Sequence, residues 1–184
     1  MNKVSMRWAA VGVFAMANSL NFLDRQILAA LAPQLMGEFG MSASGYGDVI
    51  LAFSLTYALA APLAGLFIDK VGLRIGSAVA VAFWSVAALM TGFVSSLKGL
   101  ILCRAALGAG EAGGIPATGK ASAVYLVPRE RALGSAVYQM GLTVGAMVAP
   151  VMAQFVARIY GWRVAFMVAG VLGFLWIPLW FKVE

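Results

Sequence analysis

Residues 97–126 read LKGLILCRAALGAGEAGGIPATGKASAVYL. A membrane-crossing helix needs about 20 predominantly apolar residues, and this stretch has the length. It nevertheless carries Arg104, Glu111 and Lys120. An ionisable group in a membrane span costs at least about 2.5–3.5 kcal/mol at mid-helix, so it normally faces a cavity or a partner and is a functional candidate.

The rest of the chain puts this stretch in a membrane. Of 184 residues, 62% are hydrophobic and only 11% charged, against about 45–50% and 25% in soluble domains. A water-soluble fold has nowhere to put that excess. Mean hydropathy is +0.92. The 21 glycines and six prolines also suit membrane helices. The net charge of +6 would suggest nucleic acid in a soluble protein, but here the basic residues gather at the ends of apolar stretches, so no nucleic-acid partner is expected. Cys103 is the one cysteine, which excludes an intrachain disulfide, and histidine is absent. The commonest general base and zinc ligand are therefore missing. With no nucleophile elbow and no cluster of metal ligands, an enzyme is not expected, nor a metal or cofactor.

Six apolar stretches can be drawn: about Arg7 to Leu35, Tyr46 to Ile68, Ile75 to Val94, Leu97 to Leu126, Ala132 to Ala157 and Val164 to Phe181. Strands are not expected, because a bilayer admits only helices or closed barrels and the runs do not alternate with period two. Short links join the stretches: Gly37 to Ser44, Asp69 to Arg74, Ser95 and Ser96, Val127 to Arg131, and Arg158 to Arg163. With the N-terminus cytoplasmic, Lys3, Arg7, Lys70, Arg74, Arg129, Arg131 and Lys182 fall inside, against Lys98, Arg158 and Arg163 outside. That bias places both termini in the cytoplasm. A cleaved signal peptide ending near Ala15-Met16-Ala17 is the rival reading of the N-terminus, and it would leave five spans unexplained.

Spans one to three can be laid on spans four to six. A shift of 87 to 89 carries Asp24 onto Glu111, Pro62 onto Pro150, and Gly72-Leu73-Arg74 onto Gly161-Trp162-Arg163. Three is odd, so the second triplet is inverted, as in the 3+3 repeats of some transporters. The expected fold is all-α and transmembrane, a six-helix bundle with an inverted repeat over residues 1–184.

Five ionisable groups lie inside these spans: Asp24, Arg25, Arg104, Glu111 and Lys120. Asp24, Arg104 and Glu111 are expected to line one shared watery pocket. Arg104 and Glu111 are two turns apart on one helix face, about 10 Å. Gly108, Gly110, Gly113 and Gly114 surround Glu111 and leave room for a solute, and Pro116 should bend the helix just beyond. Asp24 and Arg25 point about 100° apart, so one can face the cavity while the other meets a neighbouring span. Guanidinium groups bind carboxylates bidentately and stay charged in low dielectric. A carboxyl in such surroundings can take up and release protons near neutral pH. Together they form a minimal kit for anion–proton symport. The plainer alternative is static ion pairing between spans one and four, and buried pairs are poor stability devices. Lys120 is expected to snorkel or to pair with Asp69 in a structural or gating role. Tyr57 and Tyr138 can stack on a sugar face or simply pack. Asn21 and Gln139 can contact a substrate or bond to a neighbouring helix. Trp8, Trp162 and Trp180 read as interface anchors.

The stretch Gly65-Leu-Phe-Ile-Asp69-Lys70-Val-Gly72-Leu-Arg74 resembles the loop between helices two and three of the major facilitator superfamily. Asn21-Phe22-Leu23-Asp24-Arg25, Arg104-Ala-Ala-Leu-Gly108-Ala-Gly110-Glu111-Ala112 and Pro128-Arg-Glu130-Arg131-Ala132 resemble motifs of its anion:cation symporters, closest to the bacterial hexuronate carriers. Gly145 to Pro150 and Gly161 to Phe166 fit the same family, so the resemblance spans nearly the whole chain. It implies proton-driven uptake of a sugar acid across the inner membrane. The resemblance implies that Asp24 and Glu111 couple protons, that Arg25, Arg104 and Tyr57 bind substrate, with Arg104 the favoured anion ligand, and that Asp69, Lys70 and Arg74 form the conformational-gating loop. Gln139 and Asn21 are further substrate-binding candidates, and Lys120, Glu130 and Arg131 further gating candidates. Phe22 departs from the family's tyrosine, Gln139 from the asparagine of the hexuronate group, and Gly114 from a common asparagine. The first two put the particular acid in doubt. The family has twelve helices and this chain stops after the sixth at Lys182-Val183-Glu184, so the C-terminal half is expected from a second chain, a longer reading frame or a homodimer. A partner-requiring or inactive fragment, an antiporter and a carrier of another carboxylate are the alternatives.

Overall fold

The computed structural model describes residues 3–183, with side chains from Met6 onward. Glu184 and the Lys3 side chain lie outside the described residues. Among those residues the chain is helical and holds no strand. The helices are α1 (Lys3–Ala30), α2 (Ala32–Phe39), α3 (Ala43–Val71), α4 (Leu73–Thr91), α5 (Leu97–Glu111), α6 (Gly114–Tyr125), α7 (Arg131–Tyr160) and α8 (Trp162–Val183), with a 3-10 turn at Pro128–Glu130. Ser42 and Ser96 cap α3 and α5 by accepting the amides of Gly45 and Gly99, each at 3.2 Å.

Two of the six expected stretches are broken, each at a proline-dictated place. A proline ring meets the carbonyl four residues earlier. Pro33 thus disturbs the turn that ends α1, and the chain steps at Leu31 (φ −103°, ψ 7°) before α2 resumes. Pro116 likewise acts on Ala112, so the interruption falls at Ala112 and Gly113, before the proline rather than beyond it as expected. The links between the second and third stretches and between the fifth and sixth are tighter than drawn. Gly72 alone joins α3 to α4, and Gly161 alone joins α7 to α8. The helices continue past the apolar region because charged residues are as compatible with a helix as leucine is.

Those two glycines sit at matched positions and share one backbone geometry, φ 88° and ψ 158° at Gly72 against φ 87° and ψ 158° at Gly161. Positive φ is open to glycine at little cost. The packing obeys the same exchange: α1 lies chiefly on α7, α3 on α5, and α4 on α8. Exchanging the triplets turns the first pairing into the second and the third into itself. On the α4–α8 contact the matched residues Ser85 and Gly173 meet, so closely that a methyl on Gly173 would fall 2.1 Å from Ser85 Oγ. The inverted repeat is therefore present in three dimensions.

The bundle is apolar outside and partly polar inside. Leu63 is 67% exposed and Val151 72%, whereas Arg104 is 1% and Glu111 0% exposed. Water would not sustain that arrangement; hydrocarbon does. Among the described residues, four helical stretches, Ala43–Val71, Leu73–Thr91, Pro128–Tyr160 and Trp162–Val183, are long and apolar enough to cross a membrane. The core forms two clusters. One joins the early part of α1 to Trp84, Trp176 and Trp180, and the other joins Leu23 to Leu35 with Leu100, Trp162 and Phe166. Two of the expected tryptophan anchors face inward instead. Trp162 and Trp180 are buried, and Trp180 donates its indole N–H to the Arg74 carbonyl. A helix end packed against other helices offers the indole a partner that a headgroup would otherwise supply.

Close approach of α1 to α7 rests on Gly141 and Gly145, where a Cβ would lie 2.3 and 2.1 Å from the Ala15 and Ser19 carbonyl oxygens. Gly145→Leu should force the two helices apart and lower stability by about 1–3 kcal/mol or more. Gly119, with open space around it, should tolerate alanine. Thermal melting in detergent would check both; equal stability of Gly145→Leu and the parent would contradict the packing.

Candidate functional site

Three of the apolar stretches each turn an i, i+3, i+4, i+7 set toward one cavity of about 550 Å³. α1 supplies Asn18, Asn21, Phe22 and Arg25. The broken fourth stretch supplies Glu111, Gly114, Ile115 and Thr118. α7 supplies Ser135, Tyr138, Gln139 and Leu142, and Tyr57 reaches in from α3. One face of a helix repeats at that spacing, so each set is one wall.

At the cavity wall, Arg25 Nε donates to Glu111 Oε2 at 2.7 Å. The carboxylate is wholly buried while the guanidinium is partly open to the cavity. Arg25 lies over three aromatic rings, Tyr57 at 4.7 Å, Phe53 at 5.0 Å and Phe22 at 5.4 Å. Cation–π contact and the carboxylate together replace the water that this charge gives up. Glu111 Oε1 has no partner among the described residues.

Asp24 and Arg104 are placed elsewhere. Asp24, 2% exposed, turns away from the cavity, in keeping with its 100° offset from Arg25, and its Oδ1 has no partner among the described residues. Arg104 Nη1 reaches the Asp24 backbone carbonyl at 3.4 Å, and its guanidinium lies 5.0 Å from the Phe166 ring. It borders a second cavity of about 220 Å³ with Tyr46, Leu28, Ala29 and Arg25. The expectation of one pocket shared by Asp24, Arg104 and Glu111 is thereby corrected. These charged groups border two different cavities: Arg25 touches both, and Arg25 rather than Arg104 faces the larger of the two. Helix rotation decides this, and the Gly141–Gly145 contact fixes that rotation for α1.

Tyr57, Asn21 and Gln139 all line the larger cavity. So do Asn18 and Thr118, joined at 3.3 Å, which sequence reading passed over. The signal was available: Asn18 stands seven residues before Arg25, on its face. The gating candidates gather at the end of the bundle that holds the termini. Lys120 Nζ pairs with Asp69 at 2.8 Å and donates to the Ile68 carbonyl at 3.1 Å. Arg7 pairs with Glu130 at 2.7 Å, and Arg74 lies over the Phe181 ring at 5.2 Å. Lys70 and Arg131 are exposed. The described residues contain no group of histidine, cysteine and carboxylate side chains suited to a metal.

Broken helices and an inverted repeat around a cavity lined by charged side chains are features also found within the halves of some secondary transporters. The family model of the Major Facilitator Superfamily matches residues 14–184, and the chain belongs to that family. It is 34% identical to a hexuronate transporter of Escherichia coli K12 over 98% of this chain and 42% of that protein. It is 31% identical to a galacturonate transporter of Dickeya chrysanthemi over 95% and 51%, and 33% identical to a D-galactonate transporter of Escherichia coli O6:H1 over 88% and 38%. Among solved structures, a bacterial homologue of the human lysosomal transporter Spinster, inward-facing and unoccupied, superposes with a TM-score of 0.86 at 24% identity, covering 97% of this chain and 43% of that one. This last likeness shows the fold. The chain spans about half the length of the curated relatives it matches. It is a multi-pass membrane protein.

Removing one member of the buried pair should cost more than removing both. Glu111→Leu strands the Arg25 charge, and about 3–5 kcal/mol is typical for such a break. Glu111→Leu with Arg25→Met should recover most of the loss. Denaturation of the purified variants in micelles measures it, and a double variant as unstable as the sum of its singles would contradict the pairing.

Proposed function

We propose that this chain is the N-terminal six-span half of a proton-coupled carrier for a sugar acid, completed by a second six-helix half. The observation that carries the reading is the Arg25–Glu111 pair on the wall of a cavity large enough for such a solute, with Tyr57 and Gln139 beside it. Relatives named for hexuronate, galacturonate and galactonate support the substrate class. The basic-residue bias supports cytoplasmic termini, and the family resemblance supports the bacterial inner membrane.

The chemistry follows from exchange of partners. While Glu111 is ionised it occupies Arg25. When Glu111 takes up a proton, the Arg25 guanidinium is left without a counter-charge in low dielectric, and a substrate carboxylate bound through its fork supplies one. Proton and anion thus enter the site together. Tyr57 and Phe22 hold Arg25 by its face, so the guanidinium stays aimed at the cavity. Tyr57 and Gln139 offer the hydrogen bonds and ring surface that a polyhydroxylated acid uses. Asp24, buried beside Arg104, is the second proton-coupling carboxyl, and Arg104 is an anion ligand reached from the smaller cavity. Asp69, Lys70, Arg74, Lys120, Glu130 and Arg131 govern opening at the terminal-bearing end.

In the complete carrier, Glu111→Gln should abolish proton-driven accumulation while leaving substrate exchange across the membrane. Accumulation that survives this change removes Glu111 from coupling. Arg25→Lys should raise the KM for a sugar acid at least tenfold, about 1.4 kcal/mol, because the planar fork and its stacking are lost. Uptake of a labelled panel of hexuronates, hexonates and sulfoacetate, with and without a proton gradient, measures both. Sulfoacetate belongs in the panel because a further relative is named as its probable transporter.

A further inference from the structure

The end of the bundle remote from the termini carries a charged cluster that neither cavity uses. Glu38 lies in the last turn of α2 and Arg163 in the first turn of α8. Arg163 Nη2 pairs with Glu38 Oε1 at 2.7 Å and also donates to the Val94 carbonyl, in the turn between α4 and α5, at 3.1 Å. The Trp162 indole N–H donates to Glu38 Oε2. Arg163 lies 4.4 Å over the Trp162 ring, and Phe39 meets that ring edge-on at 5.8 Å. The Trp162 and Arg163 donors hold the Glu38 carboxyl below its usual range. Arg163 thus joins three chain segments, α2, α8 and the α4–α5 turn.

The repeat gives this cluster its meaning. Gly161-Trp162-Arg163 is the counterpart of Gly72-Leu73-Arg74, with the same backbone at its glycine. At the opposite end, α3 and α6 are tied by Asp69 and Lys120. Each end of the bundle therefore has an acid–base tie close to one of the two matched glycine junctions. α2 is eight residues long and is set off from α1 by the step at Leu31. The turn just before that step carries Leu28 and Ala29, which wall the smaller cavity beside Arg104.

We propose that Glu38, Trp162 and Arg163 form a second clasp, which holds α2 and the α4–α5 turn against the start of α8 and, when released, lets α2 pivot at Leu31 beside the smaller cavity. The clasp stands independently of the substrate assigned above. It requires both donors, because Trp162 and Arg163 each engage a different oxygen of one carboxylate.

Hydrogen–deuterium exchange on the chain in lipid nanodiscs tests it. Glu38→Gln keeps an oxygen for Trp162 and removes the charge. Trp162→Phe keeps the ring and removes the donor. Each should speed exchange of the amides of residues 34–40 and 92–96 at least fivefold, while α6, at the other end, exchanges as in the parent. Unchanged exchange at both segments in both variants would overturn the clasp. So would acceleration spread evenly over all helices, which is the mark of general destabilisation rather than of a local tie.

Discussion

A guanidinium and a carboxylate cannot be left alone in hydrocarbon, and the fold is arranged around satisfying that demand. Arg25 and Glu111 come from different triplets and meet at 2.7 Å, so this interior ion pair also joins the two halves of the repeat. Isolated, either charge would be expelled or neutralised. Paired, they are stable yet exchangeable, because anything that discharges one frees the other. Aromatic rings on α1 and α3 hold Arg25 in place without neutralising it. Stability and the proposed transport step therefore draw on the same pair of groups.

The repeat supplies the scaffold for that pair. α1 is pressed on α7 and α3 on α5, with α4 and α8 behind them. Helices with small residues at their contacts approach closely without a hydrophobic driving force, and Gly141 and Gly145 show this against α1. The broken ends are part of the same scheme. Pro33 and Pro116 each release a few backbone groups near the middle or far end of a span, where packed neighbours and polar side chains can compensate. The break at Ala112 and Gly113 directly follows Glu111, so the helix end, the charge and the cavity coincide.

Much of this was legible in the sequence. The all-helical apolar pattern and the displaced matches of the repeat follow from spacing and hydropathy, which register what lipid tolerates, and the pairing with Asp69 was one of the two roles open to Lys120. The side chain that faces the cavity was not legible. Asp24 and Arg25 are neighbours, and their relative angle says that they diverge, whereas the absolute rotation of α1 comes from its contact with α7. The family resemblance favours Arg104 as the anion ligand, and a motif match carries no information on helix rotation. The glycines of the fourth stretch suggested a cavity there, but Arg104 lies two turns away, against Phe166. Trp162 and Trp180 read as lipid anchors because they stand near helix ends, and only the packing of α8 on α2 and α4 turns them inward. Glu38 sat in a link drawn outside the spans, where a charge needs no explanation, so its tie to Arg163 gave no signal.

The account stands on the larger cavity being watery and on α1, α6 and α7 sharing it. Cysteine labelling reads this directly. In a Cys103→Ala background, Thr118→Cys and Gln139→Cys on the cavity and Phe83→Cys on the apolar exterior would be exposed in turn to a charged thiol reagent in membranes open on both sides. The cavity positions should label quickly and be protected by a bound sugar acid, and Phe83→Cys should label slowly. Cavity positions that label no faster than Phe83→Cys would mean that the charges meet in a dry bundle, and the carrier mechanism would be wrong.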